Sequence, residues 1–230
     1  MPQQIDIRGV IVPDSDYWIY EWFDIAATAP KNVRDVLQLA GGDDVEVLIN
    51  STGGDVFAGS EIFTILRGYS GKVTVKIQSI AASAAAVIAM AGESEMSPVA
   101  QLMIHNVSAS ASGDHRDMEH TAEVLKSANK SIAAAFVAKT GRSEAEILDL
   151  MAKETWFTAE RAVKEGFVDR VMFDDSQTLG SVPMQLAASY GPGLLPQNVL
   201  DYARKNFQKN TAEAKAKAEY EFLILEEKNK

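Results

Sequence analysis

The residues best placed to do chemistry lie in three short stretches. In Ile80-Ala81-Ala82-Ser83-Ala84-Ala85-Ala86 a lone hydroxyl follows an alternating strand pattern and opens an alanine-rich helix. Small neighbours leave room for a substrate beside Ser83, and the first turn of a helix offers backbone N–H groups to a developing anion. That is the setting of a nucleophile, although a serine at a strand-to-helix junction also serves as a plain N-cap. In Ser51-Thr52-Gly53-Gly54-Asp55 a glycine pair marks a second such junction, where the missing side chains let a carbonyl oxygen approach backbone amides. It could form half of an oxyanion hole, or a tight turn with no ligand. His105 ends the apolar run Leu102-Met103-Ile104. It is a candidate general base because imidazole titrates near neutrality; the alternative is a hydrogen-bonded core histidine.

Composition limits what these groups can be asked to do. The chain has no cysteine, which removes disulfides, thiolate zinc sites, iron–sulfur clusters and thiol catalysis, so a covalent nucleophile must be an oxygen or an amine. The remaining two histidines, His115 and His120, fall in Asp114-His115-Arg116-Asp117-Met118-Glu119-His120. Their spacing sends the two imidazoles to different sides of a helix, so the segment reads as a solvated face and no metal is expected. Neither a Walker Gly-Lys-Ser/Thr nor a complete dinucleotide glycine pattern is present, and no cofactor is expected.

The elements that must position these residues alternate between strand and helix. Gln4 to Val12 alternates as a strand with a kink at Gly9, and Pro30 to Leu39 has the spacing of an amphipathic helix. Val45 to Ile49 is a short strand between two glycine-containing turn clusters, followed by a helix over Asp55 to Gly68 whose first turn suits the negative charge of Asp55. Lys72 to Ile80 is a strand, and the alanine-rich helix runs from about Ser83. Successive βα units imply parallel strands with crossover helices, an α/β fold. Val99 to Ile104 is another strand, and Asp114 to Lys139 a long helix. Its apolar stripe of Met118, Ala122, Leu125, Ile132 and Phe136 is interrupted at Asn129. Such a stripe serves either a helix-to-helix contact between subunits or a helix lying on its own sheet. Ser143 and Glu146 form a capping box that starts a further helix, and Thr158 to Glu165 is a short helix stopped by Gly166.

The chain changes character past Phe173. Gly180 to Pro196 is rich in Gly and Pro, and from about Asn198 the sequence is dominated by Ala, Glu and Lys. A boundary near residue 180 is expected, with 1–180 as the folded domain and 181–230 as a linker and charged helical C-terminal extension. Of 230 residues, 47% are hydrophobic and 23% charged, ample material for a core. The formal charge of −10 sits in the first 180 residues, the tail being slightly basic. An acidic body with no local basic cluster argues against nucleic acid. The longest apolar run, Ile80 to Gly92, is short for a bilayer span and mostly alanine, and the first fifteen residues lack a signal-peptide pattern. These features predict no membrane partner and a cytoplasmic setting.

Individually the three stretches are weak signals, but their order is specific. A strand–Gly-Gly–helix unit, a strand–Ala-Ala-Ser-Ala-Ala–helix unit, a strand ending Met-Ile-His, and Trp156-Phe157-Thr158-Ala159-Glu160 with Gly166-Phe167-Val168-Asp169 occur in succession. Over about residues 4 to 172 this resembles the ClpP family of self-compartmentalising serine peptidases. The resemblance implies a ClpP/crotonase-like spiral of repeated βαβ units, with Ser83 as nucleophile and His105 as general base. It implies an oxyanion hole from the amides of Gly54 and Ala84, with Gly53 and Asp55 binding substrate. Glu154 stands where the family usually carries Asp, and can hold the distal imidazole nitrogen as an Asp does; the alternative is a solvent-facing carboxylate at a helix end.

Departures from the pattern point to a subgroup. Ala84 replaces the usual Met after the nucleophile, Thr52 replaces Pro, and the first strand begins almost at Gln4, so the axial-loop segment that gates an unfoldase is expected to be missing. Gly53-Gly54-Asp55-Val56-Phe57-Ala58-Gly59, Leu102-Met103-Ile104-His105-Asn106 and Glu154-Thr155-Trp156 are similar to the ClpP-related head-maturation proteases of tailed phages and prophages. That resemblance implies peptide and protein substrates, including scaffold and capsid proteins inside an assembling prohead, and a homo-oligomeric ring, stacked in pairs. Three other functions compete: an ATPase-coupled ClpP peptidase of a bacterial cytosol, a crotonase-like acyl-CoA enzyme, and an inactive shell or adaptor protein of the same fold.

Overall fold

The computed structural model describes residues 2–173 and 195–206. One twisted sheet organises them. Its main path runs β2 (Ala27–Thr28), β1 (Gln3–Ile11), β3 (Val45–Gly54), β4 (Val73–Ala82), β5 (Glu93–Met96), β8 (Arg170–Val171). Every neighbouring pair along it is parallel. A branch leaves β4 where β6 (Gln101–Ile104) pairs with its last residues, and β7 (Thr155–Thr158) pairs antiparallel with β6. The repeated parallel units expected from the sequence are therefore present, with β4 shared between two arms of the sheet.

Helices cover the sheet because its strands are apolar on the inward face. Ile5, Ile7, Val45, Val47, Ile49, Val75 and Ile77 are buried together in the main core. Between them run α2 (Pro30–Ala40), α3 (Val56–Arg67) and α4 (Ala84–Ala89). The six residues of α4 are all buried, so the alanine run is an internal packing element. Its small side chains answer a close approach: a Cβ added at Gly59 of α3 would lie 2.8 Å from the Ala84 Cβ. Downstream, α5 (His115–Thr140) buries Ile132, Ala133, Ala135 and Phe136, whereas residues 115–120 are wholly exposed. The apolar stripe thus divides: its C-terminal half lies on the chain's own core, and Met118 and Val124 remain exposed. Ser143 and Glu146 make the anticipated capping box at the start of α6 (Glu144–Ala152), and α7 (Ala159–Lys164) comes directly after β7.

Several elements differ from expectation. The glycine pair does not end β3 as a turn; the strand continues through Gly53 and Gly54. It does so because both neighbours are offset there, β1 at Gly9 and β4 beyond Ile77, so extra residues bend the strands without ending the pairing. The alanine helix stops at Ala89, shorter than its apolar run, and Gly92 packs where a Cβ would sit 2.3 Å from the Val73 carbonyl oxygen. Five short elements carry too few residues to show periodicity: α1 (Tyr17–Trp22), β2, β5, β7 and β8.

The predicted boundary near residue 180 lies outside the described residues. Within the predicted extension, however, α8 (Gln197–Asn206) packs on the body. Leu195, Leu200 and Ala203 join Val10, Val12, Ile19, Tyr20 and Ala29 in a second core on the far side of β1. Among the described residues, no helix is long and apolar enough to cross a membrane, and no group of three or more acidic or histidine side chains could hold a metal ion.

The far end of the sheet is fastened by Asp169. Its carboxylate accepts the Ser94 amide at 2.6 Å and the Ser94 hydroxyl at 3.1 Å, and pairs with Lys139, which also donates to the Gly92 carbonyl at 3.0 Å. Burial pushes the Asp169 carboxyl up, but the bonds from Lys139 and Ser94 outweigh it and hold it below the ordinary aspartate range. A depressed folded-state value stabilises the protein above the unfolded value, and that stabilisation is lost as pH falls through the folded one. We expect Asp169→Asn to cost about 1 kcal/mol near neutrality, the low end for a charge-assisted bond because the carboxylate is partly exposed. Denaturant titration should show the difference from the parent shrinking toward about pH 2; a constant difference across that range would contradict the assignment.

Candidate active site

The C-terminal ends of β3, β4 and β6 meet where the three chemical stretches converge. At the end of β4 the chain turns into α4 through Ser83, whose φ of 56° and ψ of −123° are unusual for a residue with a side chain. The Ser83 amide donates to the Met103 carbonyl at 3.0 Å, tying the turn to β6. Ser83 makes no side-chain capping bond. Its hydroxyl lies 2.8 Å from Nε2 of His105 instead. A sharp, strained strand-to-helix turn that lifts a serine hydroxyl toward a histidine is the arrangement that activates a nucleophile. The Ser83 hydroxyl therefore faces His105 and does not cap its own helix.

The glycines behave as close-approach positions. A Cβ on Gly53 (φ 98°) would fall 2.7 Å from the Ala82 carbonyl oxygen and 2.8 Å from the Ser83 Cβ; one on Gly54 (φ 151°) would fall 2.2 Å from the Ile11 carbonyl oxygen. Only a residue with no side chain fits either place. The arrangement is pinned by Ser51, buried at 2% exposure, whose hydroxyl donates to the Gly9 carbonyl at 2.6 Å and accepts from the Gly53 amide at 3.1 Å. Gly54, Ser83, Ala84 and His105 all line one cleft of about 340 Å³. Ala84 is the first residue of α4, a position whose amide has no partner within the helix. The cleft wall is apolar, with Val87, Leu125, Ile132 and Phe136 at its base and the exposed Phe57 and Val124 at its rim.

Two other predicted residues make hydrogen bonds outside the Ser83–His105 pair. Asp55 borders the cleft, but its carboxylate caps α3 by accepting the Ala58 amide at 2.7 Å, and its own amide donates to the Ile11 carbonyl at 2.8 Å. Its polar groups therefore shape the β3–α3 corner. Glu154 is brought close by register: Ile104 pairs with Thr155, so the next step along the antiparallel pair sets His105 opposite Glu154. The residue has a positive φ of 47° and is exposed. Its carboxylate accepts the Trp156 indole N–H at 3.3 Å, and among the described residues the hydrogen bond of His105 is the one to Ser83. The structure joins Ser83 and His105 by a hydrogen bond and gives the Glu154 carboxylate to Trp156.

Sequence reasoning missed Ser51 and Asn129. Asn129 interrupts the apolar stripe of α5 because its side-chain oxygen accepts the Val107 amide at 2.7 Å. That bond holds the segment two residues beyond His105, where it leaves β6 with no further ladder bonds. The only trace in the sequence is the polar interruption itself.

Known proteins are similar to this chain. A family model described as Clp protease matches residues 27–175, well over half of the chain. The chain belongs to the Clp protease family. It is 36% identical over 132 residues to the ATP-dependent Clp protease proteolytic subunit 1 of Streptomyces avermitilis, covering 56% of this chain and 61% of that protein. It is 30% identical over 159 residues to the corresponding subunit 2 of Rhodococcus jostii, covering 66% and 82%. The chain thus spans less than two thirds of the first of these relatives. A ClpP1 variant from Listeria monocytogenes superposes with a TM-score of 0.61 at 21% identity, covering 74% of this chain and 91% of that one. This shows a shared ClpP-like fold. The family match begins after β1 and α1 and ends before α8, so the second core is built largely from residues outside it.

Asn129 offers a test of how the histidine is held. Asn129→Ala should slow the labelling of Ser83 by a fluorophosphonate about five- to tenfold, the equivalent of one lost hydrogen bond. Asn129→Asp, which keeps the acceptor, should stay near the parent. Equal rates in all three proteins, read by mass spectrometry, would show that the bond does not position His105.

Proposed function

We propose that this chain is a serine endopeptidase that hydrolyses peptide bonds through an acyl-enzyme. The observation that carries the reading is the 2.8 Å contact between the Ser83 hydroxyl and His105 Nε2 at a strained turn. In the first step Nε2 takes the hydroxyl proton as Ser83 Oγ bonds to the scissile carbonyl carbon, and the negative charge moves to the carbonyl oxygen. The amides of Gly54 and Ala84 receive that oxyanion. The imidazolium then gives its proton to the leaving amine as the C–N bond breaks. A water, deprotonated by the same nitrogen, attacks the acyl ester, and the imidazolium returns that proton to Ser83 Oγ as the ester C–O bond breaks. Glu154 is assigned the orienting carboxylate on Nδ1, which must carry the proton when Nε2 accepts one. No metal or nucleotide takes part in these steps.

The biological role we favour is ATP-independent cleavage of scaffold and capsid proteins during phage or prophage head maturation, in host or bacterial cytoplasm. Support comes from the Gly53-to-Gly59 and Glu154-Thr155-Trp156 words, and from a second core that lies largely outside the Clp protease match. The names of the Streptomyces and Rhodococcus relatives favour a second reading, a peptidase driven by an unfoldase. Stimulation of folded-substrate degradation by an added ATP-dependent unfoldase separates the two. A ring of copies is part of either reading, with the exposed first half of α5 and its Met118 and Val124 as the surface available to a second copy. A crotonase-like acyl-CoA reading gives the Ser83–His105 pair no task, and an inactive shell protein has no need of the strain at Ser83.

Ser83→Ala should abolish peptide cleavage while leaving the oligomeric mass by light scattering unchanged; retained turnover in the purified variant would refute the nucleophile. Glu154→Gln should lower kcat at least about tenfold while Glu154→Asp retains most activity. Loss of activity in neither would return Glu154 to a surface role.

A further inference from the structure

The second core touches the oxyanion site through a single strand end. Val10 and Val12 face α1 and α8, whereas Ile11 between them faces the main core. The backbone of Ile11 is what Gly54 rests on: the Ile11 carbonyl accepts the Asp55 amide at 2.8 Å, and no side chain could be fitted between Gly54 and the Ile11 backbone. A shift of this strand end would therefore carry Gly54 with it. Three contacts from the C-terminal segment press on that end. Leu195, Leu200 and Ala203 pack into the cluster with Val10, Val12 and Tyr20. The Leu195 amide donates to the Tyr20 hydroxyl at 2.8 Å, 175 positions away in sequence. Arg204 forks onto Asp16, with Nε at 3.2 Å and a second, shorter bond from its terminal nitrogen.

Asp16 is the informative partner. It is only 4% exposed, and a carboxylate so far out of water is costly unless paired. Arg204 supplies the pairing charge from a helix that the family match does not reach. Asp16 in turn ends the turn after β1, where the Asp16 and Tyr17 amides both donate to the Pro13 carbonyl. The path from Arg204 to the cleft is thus short and made of backbone: Asp16, the Pro13 turn, Val12, Ile11, Gly54.

We propose that α8, through Arg204 on Asp16 and Leu200 on the second core, is a positioning element that holds the Gly54 amide in the oxyanion hole, so that docking of the C-terminal segment sets the peptidase rate. The inference rests on the serine-peptidase reading. Arg204 and Leu200 touch neither substrate nor reacting atoms; they act through β1.

The test compares a matched peptide oxoester and thionoester in the full chain. A thiono sulfur uses oxyanion-hole donors poorly, so the ratio of the two kcat values reports the hole and is indifferent to the amount of folded enzyme. Arg204→Ala and Leu200→Asp should each lower oxoester kcat about tenfold, with KM within about twofold and the oxo-to-thiono ratio narrowed by a similar factor. Arg204→Lys should retain most of the ratio, and Asp16→Arg combined with Arg204→Asp should recover part of it. An unchanged ratio in Arg204→Ala, or a parallel fall of both substrates, would overturn the proposal; this holds whether or not Leu200→Asp yields folded protein. Failure of the parent to hydrolyse the oxoester in a Ser83-dependent way would instead refute the peptidase reading itself.

Discussion

The turn at Ser83 is the constraint on which the rest of the site depends. Its backbone angles place a side-chain-bearing residue in a region that costs on the order of 1–3 kcal/mol, so the surroundings must supply at least that much to keep it. They do so from three sides. The amide is held by the Met103 carbonyl, α4 beyond it is buried along its whole length, and Gly53 of β3 presses its backbone against the turn from the other side. Strain at one residue is thus sustained by burial of a whole helix, and the return is a hydroxyl aimed at His105 instead of at its own helix amides.

This arrangement explains the unusual composition around it. Four of the six buried residues of α4 are alanines, which contribute little hydrophobic area each, a poor choice if stability alone were at issue. They let α3 and β3 come close enough for Gly54 and Ala84 to line the same cleft as Ser83. Gly59 against Ala84 and Gly53 against Ser83 are contacts where a single added methyl group would force α3 and β3 away from the turn. The bulges in β1 and at the β3–β4 pairing have the same purpose. They bend the strand ends into the site without giving up the ladder below, where apolar alternation in β1, β3 and β4 holds the register.

How legible each feature was in the sequence depended on how local its signal was. Ser83 and His105 stood out because the chain offers few nucleophiles and bases at strand ends, and the βα alternation was legible because β1, β3, β4 and α2, α3, α5 are long enough to show a period. The glycine pair was misread as the end of β3 because Gly-Gly carries the same turn signal whether the chain reverses or bulges. Whether it bulges depends on β1 and β4, and no local pattern records that. Ser51 and Asn129 act on backbone groups 42 and 22 residues away, so their tasks exist only in the folded chain. The register sets Glu154 one step beyond the Ile104–Thr155 pair, and the rotamer that gives its carboxylate to Trp156 is a matter of side-chain competition that spacing does not encode.

The tail shows the opposite kind of gap. Its apolar positions Leu195, Val199, Leu200 and Ala203 recur at helical spacing and are all buried, so the docking face was present in the sequence but masked by the Ala, Glu and Lys content of the last two dozen or so residues. Composition describes what a segment does in water when left alone; it does not register that β1 has a second apolar face. That strand presents Ile5, Ile7 and Ile11 to one core and Val10 and Val12 to another, the second face being exposed at Gln4, Asp6 and Arg8 and buried only past the Gly9 bulge. A strand buried on two sides at its end needs a cover there, and α1 alone is six residues long. α8 completes the cover, which is why residues close to the end of the described chain bear on a glycine in the catalytic cleft.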